Sequence, residues 1–138
     1  MRKILLFAST MLVIGCSSTD KNAIAPLDLR TSEELVKDYW VLSERAYPSY
    51  PVSAAKRKLN GCVVFQYVIN SEGEPQNIKT IKFLPDNTFV PEGKKALKKL
   101  RWKPSESNTS AQPVLTTVEW SFTLDDVAGT PDCKLESL

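Results

Sequence analysis

The chain has 138 residues, room for one small domain, and 25% of them are charged: 18 basic, 16 acidic and no histidine. Such a balance gives no global reason to expect nucleic acid as a partner. The lack of histidine removes the commonest general base and metal ligand, which argues against an enzyme, a metal centre or a cofactor site.

Arg2 and Lys3 precede an apolar run, Ile4 to Ile14, that ends in Val13-Ile14-Gly15-Cys16. The run has the length of a signal-peptide core and is too short to cross a bilayer as a helix. Residues 1–15 therefore read as a lipoprotein signal peptide. Gly15 is small enough for the peptidase, and the sulfur of Cys16 receives diacylglycerol before its freed amine is acylated with a chain such as palmitate. An uncleaved membrane anchor is the alternative. Several acyl chains together hold a protein on a membrane where one would not. Ser17, rather than Asp, follows the cysteine; by resemblance to enterobacterial lipoproteins this implies the periplasmic face of the outer membrane, with inner-membrane anchoring as the alternative. Loss of Arg2 and Lys3 leaves 16 basic against 16 acidic residues, so the mature chain is neutral. With Cys16 consumed by lipid, Cys62 and Cys133 remain, either as a disulfide in an oxidising compartment or as two buried thiols.

Residues 16–45 read as a tether and an amphipathic helix. Ser17 to Leu29 shows no period. Thr31-Ser32-Glu33-Glu34 then has the form of a capping box, with Thr31 as N-cap. Leu35, Tyr39, Leu42 and Ala46 fall on one helical face, widened by Val36 and Trp40, and Pro48 and Pro51 stop the helix. A second helical stretch is expected from Val52 to Leu59, closed by Asn60-Gly61. Cys62 to Asn70 is apolar on both faces, which predicts a central strand. Ser71-Glu72-Gly73-Glu74 supplies a turn, and Gln76 to Leu84 pairs back as the second strand of a hairpin.

Pro85-Asp86-Asn87-Thr88 breaks the sheet and caps a helix with Phe89, Gly93, Ala96, Leu97 and Leu100 on its apolar face. Lys94, Lys95, Lys98, Lys99 and Arg101 occupy the other face. They form either a patch for phosphate or acidic partners or an ordinary solvated face with cations near a helix C-terminus. Ser105 to Gln112 is a polar loop. From Val114 to Leu124 the chain alternates throughout, with Val114, Thr116, Val118, Trp120 and Phe122 facing inward, as a half-buried antiparallel strand does. The tail, 127–138, is largely polar apart from Cys133.

Tyr50-Pro51, Ala54, Gly61 before Val63-Val64-Phe65, Gly73 in the turn, Asn77-Ile78, Ile81, and then Phe89, Ala96, Arg101, Trp102 and Pro104 stand in an order that resembles the C-terminal domain of TonB. The resemblance covers about residues 46–126. It implies an α+β fold: a three-stranded antiparallel sheet packed against helices, here with an extra N-terminal amphipathic helix. It also implies that Tyr50-Pro51 marks the domain entry and that Trp102 and Pro104 end the second helix of the domain.

The family resemblance further implies that an outer-membrane receptor, or another envelope protein, offers an extended segment that adds as a strand beside the last strand. The expected edge is Val114–Leu124, with Val114, Thr116, Thr117, Val118, Glu119 and Trp120 at its centre and Glu119 its only charge. Two copies could also exchange strands into a homodimer. Because the family places the final strand beside the first, Leu124 should finish near Cys62, which favours a Cys62–Cys133 bridge clamping the tail. Ser49 departs from the family, which often has Gln before Tyr-Pro. A linker of some thirty residues, at about 3.3–3.6 Å each, reaches roughly 100 Å. That would keep the domain near its own membrane and away from an inner-membrane motor. Three classes of function follow: a TonB-type binding module for transport, an assembly or structural envelope lipoprotein reusing the fold, and, against the residue inventory, an enzyme.

Overall fold

The computed structural model describes residues 24–129 and 131–135. The signal sequence 1–15, Cys16 and the start of the tether lie outside the described residues. Within them the chain forms β1 (Leu27–Asp28), α1 (Glu33–Tyr39), β2 (Trp40–Glu44), α2 (Val52–Lys56), β3 (Gly61–Ile69), β4 (Pro75–Leu84), a 3-10 turn (Asn87–Phe89), α3 (Val90–Leu97), β5 (Arg101–Pro104) and β6 (Val114–Phe122). One sheet has the order β1-β6-β3-β4, and a second, two-stranded sheet pairs β2 with β5.

β3 is the spine because its sequence is apolar on both faces. Val63, Phe65, Tyr67 and Ile69 point into the main core with Trp40, Phe89, Leu97 and Val114. Cys62 and Val64, on the other face, join Cys133 in a smaller cluster. β4 and β6 run antiparallel to β3 on either side. The hairpin turn is tied by Asn70, whose Oδ1 accepts from the N–H of Glu72 and Glu74 at 3.0 and 2.8 Å. Asp86 accepts from Thr88 N–H and starts the turn into α3. Gly93 lets α3 lie close on the sheet, since a Cβ there would stand 2.9 Å from the side chains of both Val63 and Phe65.

Four sequence expectations need correction. The sheet has a fourth strand, β1, drawn from the tether, because Leu27 and Leu29 donate backbone N–H groups to Pro113 and Leu115. The helix expected to run from Thr31 through Ala46 stops at Tyr39, and Trp40–Glu44 is a strand laid against Arg101–Pro104. β-favouring Trp40, Val41 and Leu42 gain a ladder there and bury the indole, which outweighs the helical period. Ser32 rather than Thr31 is the N-cap and makes no side-chain cap; Glu34 pairs with Lys37 at 2.9 Å instead of reaching back. Finally, Trp102 and Pro104 belong to β5, and α3 ends at Leu97, about one turn earlier than the period to Leu100 suggested.

Candidate functional site

The candidate edge, β6, keeps the alternation read from its sequence. Val114, Thr116 and Phe122 are buried on the core face, while Glu119 and Ser121 are exposed on the other. Backbone groups alternate as well. Pro113 and Leu115 offer their carbonyls away from β3, to Leu27 and Leu29 at 2.9 Å each. By the two-residue period, the N–H and C=O groups of Thr117, Glu119 and Ser121 point the same way. Among the described residues they make no backbone hydrogen bond. The edge is thus taken at Val114–Leu115 by β1 and open beyond it.

A hollow flanks this stretch on each face of the sheet. On the core face a cleft of about 300 Å³ is walled by Val36, Trp40, Tyr67, Trp102, Val118 and Trp120. On the other face Arg30, Glu33, Val64, Thr117, Glu119 and Lys134 line a more polar recess. Tyr67 lies on the Trp102 ring at 5.6 Å between centroids. Burial pushes its hydroxyl pKa up, and the Glu33 carboxylate adds to the shift, so it stays neutral. Trp40 donates its indole N–H to Gln112 O at 2.9 Å and fixes one wall.

A clasp holds β1. The Arg30 guanidinium donates from Nε and Nη2 to the two Asp28 carboxylate oxygens at 2.9 and 2.7 Å, and from Nη1 to Gln66 Oε1 at 3.0 Å. The Arg30 side chain beside Asp28 holds that carboxyl below its ordinary range. Sequence reading missed the clasp, since neither residue lies in a periodic segment. The local signal was Asp-x-Arg at i, i+2, the spacing that puts two side chains on one face of a strand.

The other candidate residues fall as follows. Tyr50 packs edge-on against Phe89 and Phe122 and donates to Leu59 O at 2.6 Å, while the Pro51 carbonyl accepts from Ala54 and Ala55 at the start of α2. Tyr50 thus packs on the core at the Phe122 end of β6. Cys62 and Cys133 form a disulfide and are fully buried. The tail it fastens crosses the outer face of the sheet, where Lys82 donates to Lys134 O; Lys134 and Leu135 border the recess beside Thr117 and Glu119, and none of the described tail residues pairs with β6. Lys94, Lys95, Lys98 and Lys99 are solvent-facing around a shallow depression. Arg101 turns away from them to cap the carbonyls of Lys98 and Leu100 and to pair with Glu74 at 3.3 Å. Among the described residues no group of three or more His, Cys, Asp or Glu could hold a metal ion, and no helix is long and apolar enough to cross a membrane.

Residues 46–124 match the family described as Gram-negative bacterial TonB protein C-terminal. The chain belongs to this family. Its fold is that of the TonB C-terminal domain from Pseudomonas aeruginosa, known from a solution NMR structure. The two superpose with a TM-score of 0.59 at 23% identity, over 72% of this chain and 95% of that one. The TonB2 protein of Vibrio anguillarum aligns over 89% of this chain and 98% of its own, at 22% identity and a TM-score of 0.48. A comparison with curated proteins finds no match. The TonB C-terminal match takes in both Tyr50-Pro51 and β6, whereas β1, α1, β2 and Cys133 all lie outside it. The self-paired strand and the clamped tail thus lie outside the residues that the family model matches.

Proposed function

We propose that this chain is a lipid-anchored, non-catalytic TonB-type module that binds extended segments of outer-membrane receptors or other envelope proteins. It does so by adding them as a strand to β6, in TonB-dependent transport or as an accessory to it. One observation carries the reading. The outward backbone groups of Thr117, Glu119 and Ser121 form an open ladder next to an apolar, aromatic-walled cleft. Main-chain bonds of this kind give affinity, and hollows for alternate side chains give selectivity. Glu119 is the ladder's single charge, so it has little of the protection that free edges normally carry. In this reading Cys16 carries the lipid and the domain works at the periplasmic face of the outer membrane.

The experiment is photocrosslinking in cells from Ser121, with and without Thr117→Pro. The substitution removes one outward donor while leaving the bonds to β3 in place. Crosslinks to receptor segments should fall at least several-fold in the folded variant. Unchanged crosslinking in a folded Thr117→Pro protein would place binding on another surface.

A second reading, an assembly or structural envelope lipoprotein that is not energised, is favoured by β1. Pinning Leu27 to the sheet leaves 10 residues between Cys16 and the domain. At about 3.3–3.6 Å per residue these reach at most roughly 35 Å, less than half the reach of an unpinned linker. Recovery of peptidoglycan or assembly proteins, without receptor segments, from the Ser121 crosslinker would select it.

A further inference from the structure

The strand seated on β6 carries information about what else the edge accepts. β1 runs parallel to β6, with Leu27 opposite Val114 and Asp28 opposite Leu115. Leu27 and Leu29 share one face. Leu29 is buried in the main core, so that face is the one with the aromatic cleft. Asp28 and Arg30 share the other face, where Arg30 reaches Gln66 and closes on Asp28. Gln66 stands opposite Thr117 in the ladder, so the clasp sits at the point where the free edge begins.

We propose that Leu27–Arg30 is a built-in stand-in for the partner's segment. The guest is then an extended chain running parallel to β6, apolar where Leu27 and Leu29 stand and charged, acid then base, where Asp28 and Arg30 stand. It binds by displacing this stretch of tether. The inference rests on the strand-addition reading above and adds to it the guest's direction, its side-chain pattern and its competitor.

Two features make the stand-in displaceable. Its strand is two residues long, and both are exposed. After Leu29 it leaves the edge, with Ser32 N–H donating back to Leu29 O as the chain turns into α1. The internal segment therefore never uses Thr117, Glu119 or Ser121, whereas a longer guest in the same register gains those rungs. Being tethered, the internal segment competes at an effective concentration in the millimolar range. Short guests are thus turned away and long matching ones admitted. Thr31 and Glu33 overhang the recess at Thr117, so a guest that runs on past Leu115 moves them as well.

The test is an NMR titration of the full mature chain carrying Cys16→Ser, disulfide intact, with a synthetic peptide Ala-Pro-Leu-Asp-Leu-Arg-Thr. The control peptide, Ala-Pro-Asp-Leu-Arg-Leu-Thr, has the same composition with its charged residues moved to the core face. In Leu27→Pro, which loses the bond to Pro113, the first peptide should give saturable shifts at the Leu115 and Thr117 amides. Binding should be at least ten-fold weaker in the wild type, and the control should leave both amides unmoved. Arg30→Ala, which opens the clasp and removes no core group, should behave like Leu27→Pro and serves if that variant does not fold. Equal binding to wild type and variants, equal binding of both peptides, or no binding to a folded variant would each overturn the proposal. Ser121 crosslinks to envelope proteins that persist under any of those outcomes would leave the binding function standing and remove only the stand-in.

Discussion

Gly73 sits in the β3–β4 turn at φ +76°, and a Cβ added there would overlap the backbone carbonyl of Trp102. Its own carbonyl accepts from Trp102 N–H at 2.9 Å, which ties the hairpin to the second sheet. No side-chain rotation relieves a clash with backbone. Gly73→Ala should therefore cost about 1–3 kcal/mol through crowding, with about 1 kcal/mol more from left-handed strain. A lower urea midpoint at unchanged slope is the expected result. Asp28 gives a pH dependence of definite sign. Hydrogen bonds from the Arg30 side chain and backbone lower its pKa below the ordinary 3.8. A depressed carboxyl contributes above its unfolded pKa and loses that contribution as pH falls through the folded one. The clasp should stay closed across the neutral range and open only below about pH 4. Glu33, Glu119 and Lys134 line the same recess. Asp28→Asn should remove the acid transition from the Leu27 and Leu29 amide shifts; a transition that survives would show that the clasp is not its source.

At the scale of elements, β3, α3 and β6 were legible because each is long enough to show its period and is buried by its own pattern, while β4, with no buried residue, was legible through the turn that precedes it. Apolar residues on both faces marked β3 as central, and strict alternation marked the inner face of β6. The three short strands were not legible. β1 has two residues and β5 four, and what makes them strands is a partner far away in sequence, at Val114 and at Trp40. The stripe Leu35, Tyr39, Leu42 and Ala46 has true helical spacing, yet the chain changes conformation at Trp40. Burial of one indole, with its N–H satisfied by Gln112, outweighs an eighth to fourteenth helical residue that would pack only lightly. For the site, the edge and its inward residues were readable from β6. The covering strand, the clasp and both hollows were not, since each joins segments that share no local pattern. Trp40 is 2% exposed and Leu35 47% exposed. Trp40→Ala should cost about 3–5 kcal/mol, and Leu35→Ala should stay within about 0.5 kcal/mol. In an uninterrupted amphipathic helix both residues would lie on the packed stripe, so similar losses in denaturant unfolding would contradict the break at Trp40.

Across the whole molecule, the family domain supplies most of the main core, and the segments outside the family match add Leu29 and Trp40 to it and cover part of the sheet. The tether closes the start of the β6 edge, and the tail closes the outer face of the sheet. Asn60 donates from Nδ2 to Val127 O and Gly129 O and accepts from Leu124 N–H, so the chain is gripped as it leaves β6. Cys133 then reaches Cys62 across a sequence separation of 71 residues, a loop that holds the whole hairpin, α3 and β6. Cross-linking a loop of this length restrains the unfolded chain by roughly 4 kcal/mol on chain-entropy grounds, an upper figure because native strain subtracts from it. Cys133→Ser should lower stability by no more than that and release the tail, baring Cys62, Val64 and Leu84. The main core contains neither cysteine, so the domain should still unfold in one cooperative step. Because none of the described tail residues pairs with β6, crosslinking from Ser121 should persist in Cys133→Ser, while proteolysis near residue 131 should quicken. Loss of the crosslink in a folded Cys133→Ser protein would instead make the clamped tail part of the docking surface.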